Sequence, residues 1–88
     1  MRACWFEAFG AAQDVLQQGD WPTPEPGPGE VLVQLHTTGV NPSDVKKRTG
    51  AFPDLLDAGP VIPHSDGAGV VTAVGEGVSP SRVGERVF

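Results

Sequence analysis

The chain has 88 residues, enough for one small domain with a modest hydrophobic core and too few to hold a second domain of ordinary size. Its 12 glycines and 9 prolines favour short strands joined by tight turns, so we expect a mostly β fold. The formal net charge of -5 repels a phosphate backbone and an anionic lipid surface, which makes nucleic acid and membranes poor partners.

Cysteine usage and the distribution of apolar residues indicate the cellular compartment. The single cysteine, Cys4, cannot close an internal disulfide or build a four-thiolate metal site. No apolar run approaches the roughly 20 residues of a membrane span, and the N-terminus lacks the apolar core of a signal peptide. We therefore expect a cytoplasmic protein that does not cross a membrane.

The N-terminal third of the chain predicts two strands followed by a loop. Residues 1–6 favour a first strand that turns near residues 9–10, and a second strand begins at residues 15–16. Residues 19–30 contain four prolines, which remove backbone donors, so we expect an extended surface loop ending in a turn at residues 28–29. Such a segment could also bind an aromatic groove, although a plain connector is the simpler interpretation.

The clearest strand pattern covers residues 30–40. Val31, Val33 and Leu35 share one face and alternate with residues of the other face, which predicts a central strand.

A helix start follows this strand. Asn41 has the residue type of an N-cap, Pro42 suits the first helical position, and Asp44 is favourable in the first turn because of the helix dipole. Gly50 predicts the C-terminal end. Residues 45–48 are short and basic, and their place near a helix C-terminus explains them better than phosphate binding does.

The C-terminal half predicts a loop over residues 51–63 and then β structure. Residues 70–74 are apolar enough for a strand buried on both faces, and the glycines at 67 and 69 indicate a bulge or a close backbone approach. Residues 75–77 predict a turn, and residues 83–88 resume β character.

The residues that could bind zinc are poorly arranged for it. Cys4, His36 and His64 are far apart in sequence and show none of the short spacings that preset a tetrahedral site. Metal binding is therefore not predicted.

Two further motifs are weak on their own. Ser, His and Asp stand together at residues 63–66, but adjacent residues cannot converge as a catalytic triad, and a turn stabilised by the Ser65 and Asp66 side chains bonding the backbone is favoured. A dinucleotide-binding fold is not encoded, because each Gly-x-Gly segment lacks the third glycine of GxGxxG.

Taken in order, several segments resemble the N-terminal half of the medium-chain dehydrogenase/reductases. The segments are residues 25–33, 38–44, 63–71, 74–78 and 83–87. The resemblance implies that residues 1–88 form a GroES-like, partly open β-barrel with one or two short helices. In that superfamily a Rossmann domain follows, and this chain lacks it.

Within the superfamily the chain looks most similar to the zinc-independent quinone oxidoreductases, including the zeta-crystallin-like enzymes. Asn41 stands where the alcohol dehydrogenases carry a zinc-ligating cysteine, and Ser65 and Asp66 stand where they carry His-Glu. A lobe built on four structural cysteines cannot exist with Cys4 alone. The resemblance therefore implies a reductase without zinc.

The same resemblance implies a set of site residues. Asn41 and Asp44 match catalytic positions beside the nicotinamide and the substrate, with Asn41 also contacting the cofactor. Phe52 matches a cofactor-binding aromatic along the cleft, and Ser43, His64 and Ser65 would line the substrate cleft. An aromatic residue that often follows the aspartate is replaced here by Val-Lys at residues 45–46, which affects the shape of the substrate site.

The resulting hypothesis is an NADPH-dependent, zinc-independent quinone or enone oxidoreductase, which could form a homodimer at full length. Without zinc, neutral donors such as the Asn41 amide would polarise a carbonyl, and Asp44 could orient an amide or a water. NADPH would be bound mainly by the missing Rossmann domain, so the isolated chain is expected to be inactive. The alternative is a stand-alone GroES-like binding or assembly module without catalysis.

Overall fold

The computed structural model describes residues 1–88, and its strands form two antiparallel sheets that are not closed into a barrel. In chain order the elements are β1 (Arg2–Phe6), α1 (Ala12–Val15), β2 (Leu16–Asp20), β3 (Val31–Gly39), α2 (Pro42–Thr49), β4 (Asp66–Val74), a 3-10 helix (Pro80–Arg82) and β5 (Arg86–Val87). The chain divides into two compact units. Unit 1 comprises Met1–Pro22 and Val40–Ser65, and unit 2 comprises Thr23–Gly39 and Asp66–Phe88. The mostly β fold with short helices is confirmed.

Unit 1 is built on the β1–β2 hairpin. Phe6 at the end of β1 is fully buried, and its backbone N–H and carbonyl both bond Val61 at 3.0 Å. On the same strand, Trp5 stacks at a tilt against Trp21, with ring centroids 5.4 Å apart. The two backbone bonds therefore anchor the segment around Val61 to the end of β1, at a residue whose aromatic side chain is buried.

The predicted second strand is confirmed, but its limits differ from the prediction. Val15 ends the short helix α1, and β2 begins at Leu16. The predicted loop begins only after Asp20, because Gly19 and Asp20 pair with the start of β1. Glycine and aspartate are uncommon in strands, so the local sequence favours a loop here. Pairing with β1 nevertheless extends the strand through both residues.

Helix α2 is the element that the sequence predicted best. Asn41 is the N-cap with extended backbone angles (φ -120°, ψ 159°), and Pro42 occupies the first turn. At the other end Gly50 adopts a left-handed conformation (φ 99°, ψ 17°), and its N–H donates to the carbonyl of Lys46. Arg48 then fixes this end, since its guanidinium donates to the carbonyl of Gly10 at 2.6 Å and its own carbonyl accepts from the Gly10 N–H at 3.0 Å.

Unit 2 is a three-stranded sheet in the order β3-β4-β5. The prediction that residues 30–40 form a central strand is wrong in position, because β3 lies at the edge and β4 is central. The alternation of β3 is also interrupted by register shifts between Leu32 and Val33 and between Leu35 and Thr37, and Leu35 is 60% exposed. Strand order depends on pairing between distant segments, which the pattern within one strand does not report.

The close approach predicted at the glycines of β4 is confirmed. A Cβ atom added at Gly69 would overlap the carbonyl oxygen of Gln34 and would lie 2.9 Å from the Cα of Leu35. Only one face of β4 is deeply buried, namely that of Gly69 and Val71, whereas Val70 is half-buried. The expected burial on both faces is therefore incomplete.

The turns of unit 2 are held by backbone bonds. Gly75 N–H donates to the carbonyl of Glu30, and Gly29 N–H donates to the carbonyl of Glu76, both at 2.8 Å. These bonds join the predicted turns at residues 28–29 and 75–77. The β character predicted over residues 83–88 is limited to Arg86–Val87. No helix in the structure is long and apolar enough to cross a bilayer.

Candidate functional site

A buried carboxylate lies in the first turn of α2. Asp44 is 5% exposed. One of its oxygens, Oδ2, accepts the N–H of Asn41 at 2.7 Å, and the other, Oδ1, accepts the N–H of His64 at 3.1 Å. Asn41 and Asp44 complete a capping box, in which the Asn41 side chain accepts from the backbone N–H of Asp44. Asp44 therefore ties the start of α2 to the segment that carries His64.

Hydrogen bonding lowers the pKa of Asp44 below its ordinary value of 3.8. The bond from the Asn41 N–H is the largest cause, and desolvation opposes it by disfavouring the charged form. The bond from the His64 N–H and the electrostatic interactions with His64 and Lys47 lower the pKa further. Asp44 is thus an anionic acceptor at neutral pH.

His64 has an unusual backbone conformation. Its φ is 82°, and it is the only residue other than glycine with a positive φ in the chain. This left-handed region is sterically unfavourable for a residue with a Cβ, although histidine is found there more often than most residues. The bond from its N–H to Asp44 helps to hold the conformation. The two backbone N–H groups bonded to the Asp44 carboxylate, those of Asn41 and His64, form the Asp44 clamp. Backbone strain is concentrated at functional sites, so the strained His64 in this clamp marks its segment as a candidate site.

Ser65 and Lys47 form a second link between the same two segments. The Lys47 ammonium donates to the Ser65 hydroxyl oxygen at 3.1 Å. Lys47 lies three residues after Asp44 on α2, so the two side chains emerge on the same face of the helix. Lys47 is half-buried and Ser65 is exposed. The sequence predicted that the Ser65 hydroxyl would bond the backbone of its own turn, and it accepts from Lys47 instead.

The structure brings together four of the predicted site residues. Asn41, Asp44 and His64 are joined by the bonds to the Asp44 carboxylate, and Ser65 follows His64 directly. Ser43 is half-buried in the first turn of α2. Phe52 lies in the turns after α2 and is 50% exposed. The cofactor role of Phe52 and the substrate role of Ser43 stay predictions.

Lys47 is the site residue that the sequence analysis missed. Its charge was fully explained by the favourable interaction of a cation with a helix C-terminus. The signal that could have found it is its spacing of three residues from Asp44, which places both charges on one helix face.

The donor groups of this cluster do not suit a zinc ion. Zinc prefers thiolate, imidazole and carboxylate ligands in a tetrahedral set, whereas Asn41 and Ser65 offer an amide and a hydroxyl. Both carboxylate oxygens of Asp44 are engaged by backbone amides. No group of three or more His, Cys, Asp or Glu side chains is placed to hold a metal ion.

The mostly β fold, with a short capped helix after a long strand, is the arrangement expected of a GroES-like domain. Residues 27–88 match the family described as the alcohol dehydrogenase GroES-like domain. The chain belongs to this family.

Individual relatives show which members of the family the chain is similar to. The chain is 42% identical over 89 residues to the human synaptic vesicle membrane protein VAT-1 homolog, covering 100% of this chain and 22% of the relative. It is 39% identical over 88 residues to rat quinone oxidoreductase, covering 100% of this chain and 26% of the relative. The structure of a putative NADPH:quinone reductase from Bacillus thuringiensis superposes with a TM-score of 0.88 at 35% identity, over 98% of this chain and 26% of that chain.

These comparisons confirm the resemblance to the quinone oxidoreductases. The chain spans 22% and 26% of the lengths of the two curated relatives, so it corresponds to the N-terminal part of such proteins.

Proposed function

We propose that this chain is the N-terminal, substrate-side domain of an NADPH-dependent quinone or enone oxidoreductase that works without zinc. The observation that carries the proposal is the amide of Asn41 fixed at the N-terminus of α2 by the Asp44 capping box. Membership of the dehydrogenase GroES-like family and the likeness to quinone oxidoreductases support the reaction class.

Asn41 acts as the electrophilic group. The capping box engages its carboxamide oxygen, so the carboxamide nitrogen is the half that donates to a ligand. A substrate carbonyl that accepts this bond is polarised, and the positive end of the α2 dipole stabilises the charge that develops on its oxygen. Quinones and enones are activated acceptors, so hydrogen bonds from neutral groups suffice where alcohol oxidation calls for a metal.

The other residues position the reactants. Asp44 holds Asn41 and the His64 segment in fixed positions, because its carboxylate accepts a backbone N–H from each of them. Ser43, His64 and Ser65 line the substrate cleft, and Phe52 would contact the cofactor. NADPH, bound mainly by a Rossmann domain outside this chain, supplies the hydride.

The proposal is tested on the longer protein that carries this chain. We expect NADPH oxidation with a small quinone, less than stoichiometric zinc in the purified protein, and activity that survives a chelator. The 88-residue chain alone is expected to show no turnover. Stoichiometric zinc together with loss of activity on chelation would overturn the zinc-free mechanism. A well-folded longer protein without turnover on any quinone or enone would favour the binding or assembly module instead.

Membrane association is the second candidate, because the human relative with 42% identity is named as a synaptic vesicle membrane protein. The net charge of -5 opposes binding to anionic lipid, and we propose a cytoplasmic protein that forms homodimers at full length. In flotation with neutral and anionic vesicles, the longer protein should stay in the dense fraction. Flotation with either vesicle would favour the membrane role.

A further inference from the structure

We propose that Lys47 and Ser65 form a proton relay that completes the reduction by protonating the substrate oxygen. This inference rests on the proposed function, because it assigns the proton donor for that reaction. Reduction of a carbonyl acceptor by hydride leaves a negative charge on oxygen, and a positioned acid that neutralises this charge accelerates the reaction.

The geometry of the pair sets the direction of proton transfer. The Lys47 ammonium has only donors, so at 3.1 Å it must donate to the Ser65 oxygen. The hydroxyl hydrogen of Ser65 is then directed away from Lys47 and toward another acceptor. Ser65 is exposed and Lys47 is half-buried, so the hydroxyl is the end of the pair that a substrate can reach.

The clamp at Asp44 fixes where the relay lies. His64 is bonded to Asp44 through its backbone, and Ser65 is the next residue. Asn41, which we propose polarises the carbonyl, is bonded to the other oxygen of Asp44. The electrophilic amide and the proposed proton donor are therefore carried by two segments held together by one carboxylate.

The charges around Lys47 suit this role. Asp44 is the anion on the same face of α2, and its electrostatic interaction with Lys47 helps to lower the pKa of the Asp44 carboxyl. Asp44 remains ionised because backbone amides bond both of its oxygens. Because Asp44 stays ionised, it does not compete with Lys47 as a proton donor.

The step balances in atoms and electrons. When bound, NADPH would supply a hydride to one end of the conjugated acceptor, and the electron pair would move through the conjugated bonds onto the carbonyl oxygen at the other end. That oxygen takes the proton from the Ser65 hydroxyl as the Ser65 O–H bond breaks, and Ser65 regains a proton from the Lys47 ammonium. The neutral Lys47 amine then takes up one proton from the solvent. One quinone, one NADPH and one proton give one hydroquinone and NADP⁺.

Substitutions in the longer protein separate proton transfer from charge and packing. Lys47→Arg keeps the positive charge and a donor to Ser65, but a guanidinium does not release its proton. We expect Lys47→Arg and Lys47→Ala to lower kcat by about a hundredfold, the lower end of the effect of general acids. Ser65→Ala should show a similar loss, whereas Ser65→Thr keeps the hydroxyl and should recover most of the rate.

Two further measurements would show no change if Lys47 had only a structural role. Small primary amines such as methylamine should restore turnover to Lys47→Ala, because their ammonium form can replace the missing proton donor. The restored rate should be larger for amines whose ammonium form releases a proton more readily. A solvent deuterium isotope effect on kcat should increase in the Lys47 variants, because proton transfer becomes slower than hydride transfer. Melting curves of each variant verify that it is folded.

The outcomes distinguish the relay from the proposed function. If the unmodified protein oxidises NADPH with a quinone but Lys47→Arg has the same kcat and isotope effect, the relay is overturned and the function stands. Failure of amines to restore Lys47→Ala would also overturn it. If the unmodified protein has no turnover, the function and the relay are both wrong.

Discussion

At the scale of single residues, His64 is the clearest departure from ordinary geometry. Its φ of 82° lies in a region that glycine adopts freely and alanine does not. We therefore expect His64→Gly to be more stable than His64→Ala by about 1 to 2 kcal/mol. Chemical denaturation of the two variants measures the difference, and both variants lack the imidazole, so its loss cancels.

His36 provides the matched control. It lies in β3 at the register shift between Leu35 and Thr37, and its φ is not positive, so alanine is unstrained there and glycine should be less stable by about 0.5 to 1 kcal/mol. The order of stability should therefore reverse, with His36→Ala above His36→Gly. The same order at both positions would contradict the left-handed assignment of His64.

Asp44 gives the protein a defined dependence on pH. Because folding lowers the pKa of this group, its carboxylate contributes stability above its ordinary value of 3.8. This contribution is lost as pH falls from 3.8 through the lowered pKa of the folded state. We expect Asp44→Asn to be less stable at neutral pH and to lose less stability on acidification, as measured by thermal unfolding across this range.

Asp57→Asn is the comparison for this experiment. Asp57 is exposed in the turns after α2, and the substitution removes the same formal charge. Its stability should follow that of the unmodified chain at both ends of the pH range. A parallel loss in the two variants would mean that net charge, and not the Asp44 clamp, governs the acid sensitivity.

At the scale of elements, β4 depends on the absence of a side chain at Gly69. An added methyl group would overlap the Gln34 carbonyl on β3, and backbone atoms cannot move aside as a flexible side chain can. We expect Gly69→Ala to destabilise the protein by at least about 2 kcal/mol. The midpoint of urea unfolding measures the loss.

Gly39→Ala tests whether the loss comes from overlap. A Cβ at Gly39 would lie 3.4 Å from the Asp66 Cβ, which is an ordinary contact. This variant should therefore change stability by less than about 1 kcal/mol. Equal losses for the two variants would show that glycine flexibility, and not close approach, is what these strands need.

The elements also show how far the sequence can predict this structure. Helix α2 was predicted with its cap, its proline and its terminal glycine, because all three signals act within a few residues. The edge position of β3 was not predicted, since strand order is set by partners far away in sequence. The bond between Asp44 and the His64 N–H joins residues 20 positions apart, so residue types alone identified both members but not their contact.

At the scale of the whole molecule, few side chains carry the core. Phe6 in unit 1 and Val71 in unit 2 are the only fully buried apolar side chains. We expect Phe6→Ala to cost about 3 to 5 kcal/mol, a large part of the 5 to 15 kcal/mol typical of a folded domain. Urea unfolding should show a much lower midpoint.

Leu35→Ala is the control for loss of a large apolar side chain. Leu35 is 60% exposed, so its truncation should change stability by less than about 1 kcal/mol. If Leu35→Ala and Phe6→Ala lowered the midpoint equally, burial at Phe6 would not be the source of stability.

The Trp5–Trp21 pair gives the protein an optical property of its own. The chain has only 2 tryptophans, and both belong to unit 1, with Trp5 directly before the buried Phe6. Intrinsic fluorescence therefore reports directly on the environment of unit 1. Emission recorded during denaturation reads the hairpin and the α2 half of the chain without a label, whereas amide exchange at Val71 reads the β3–β4–β5 sheet.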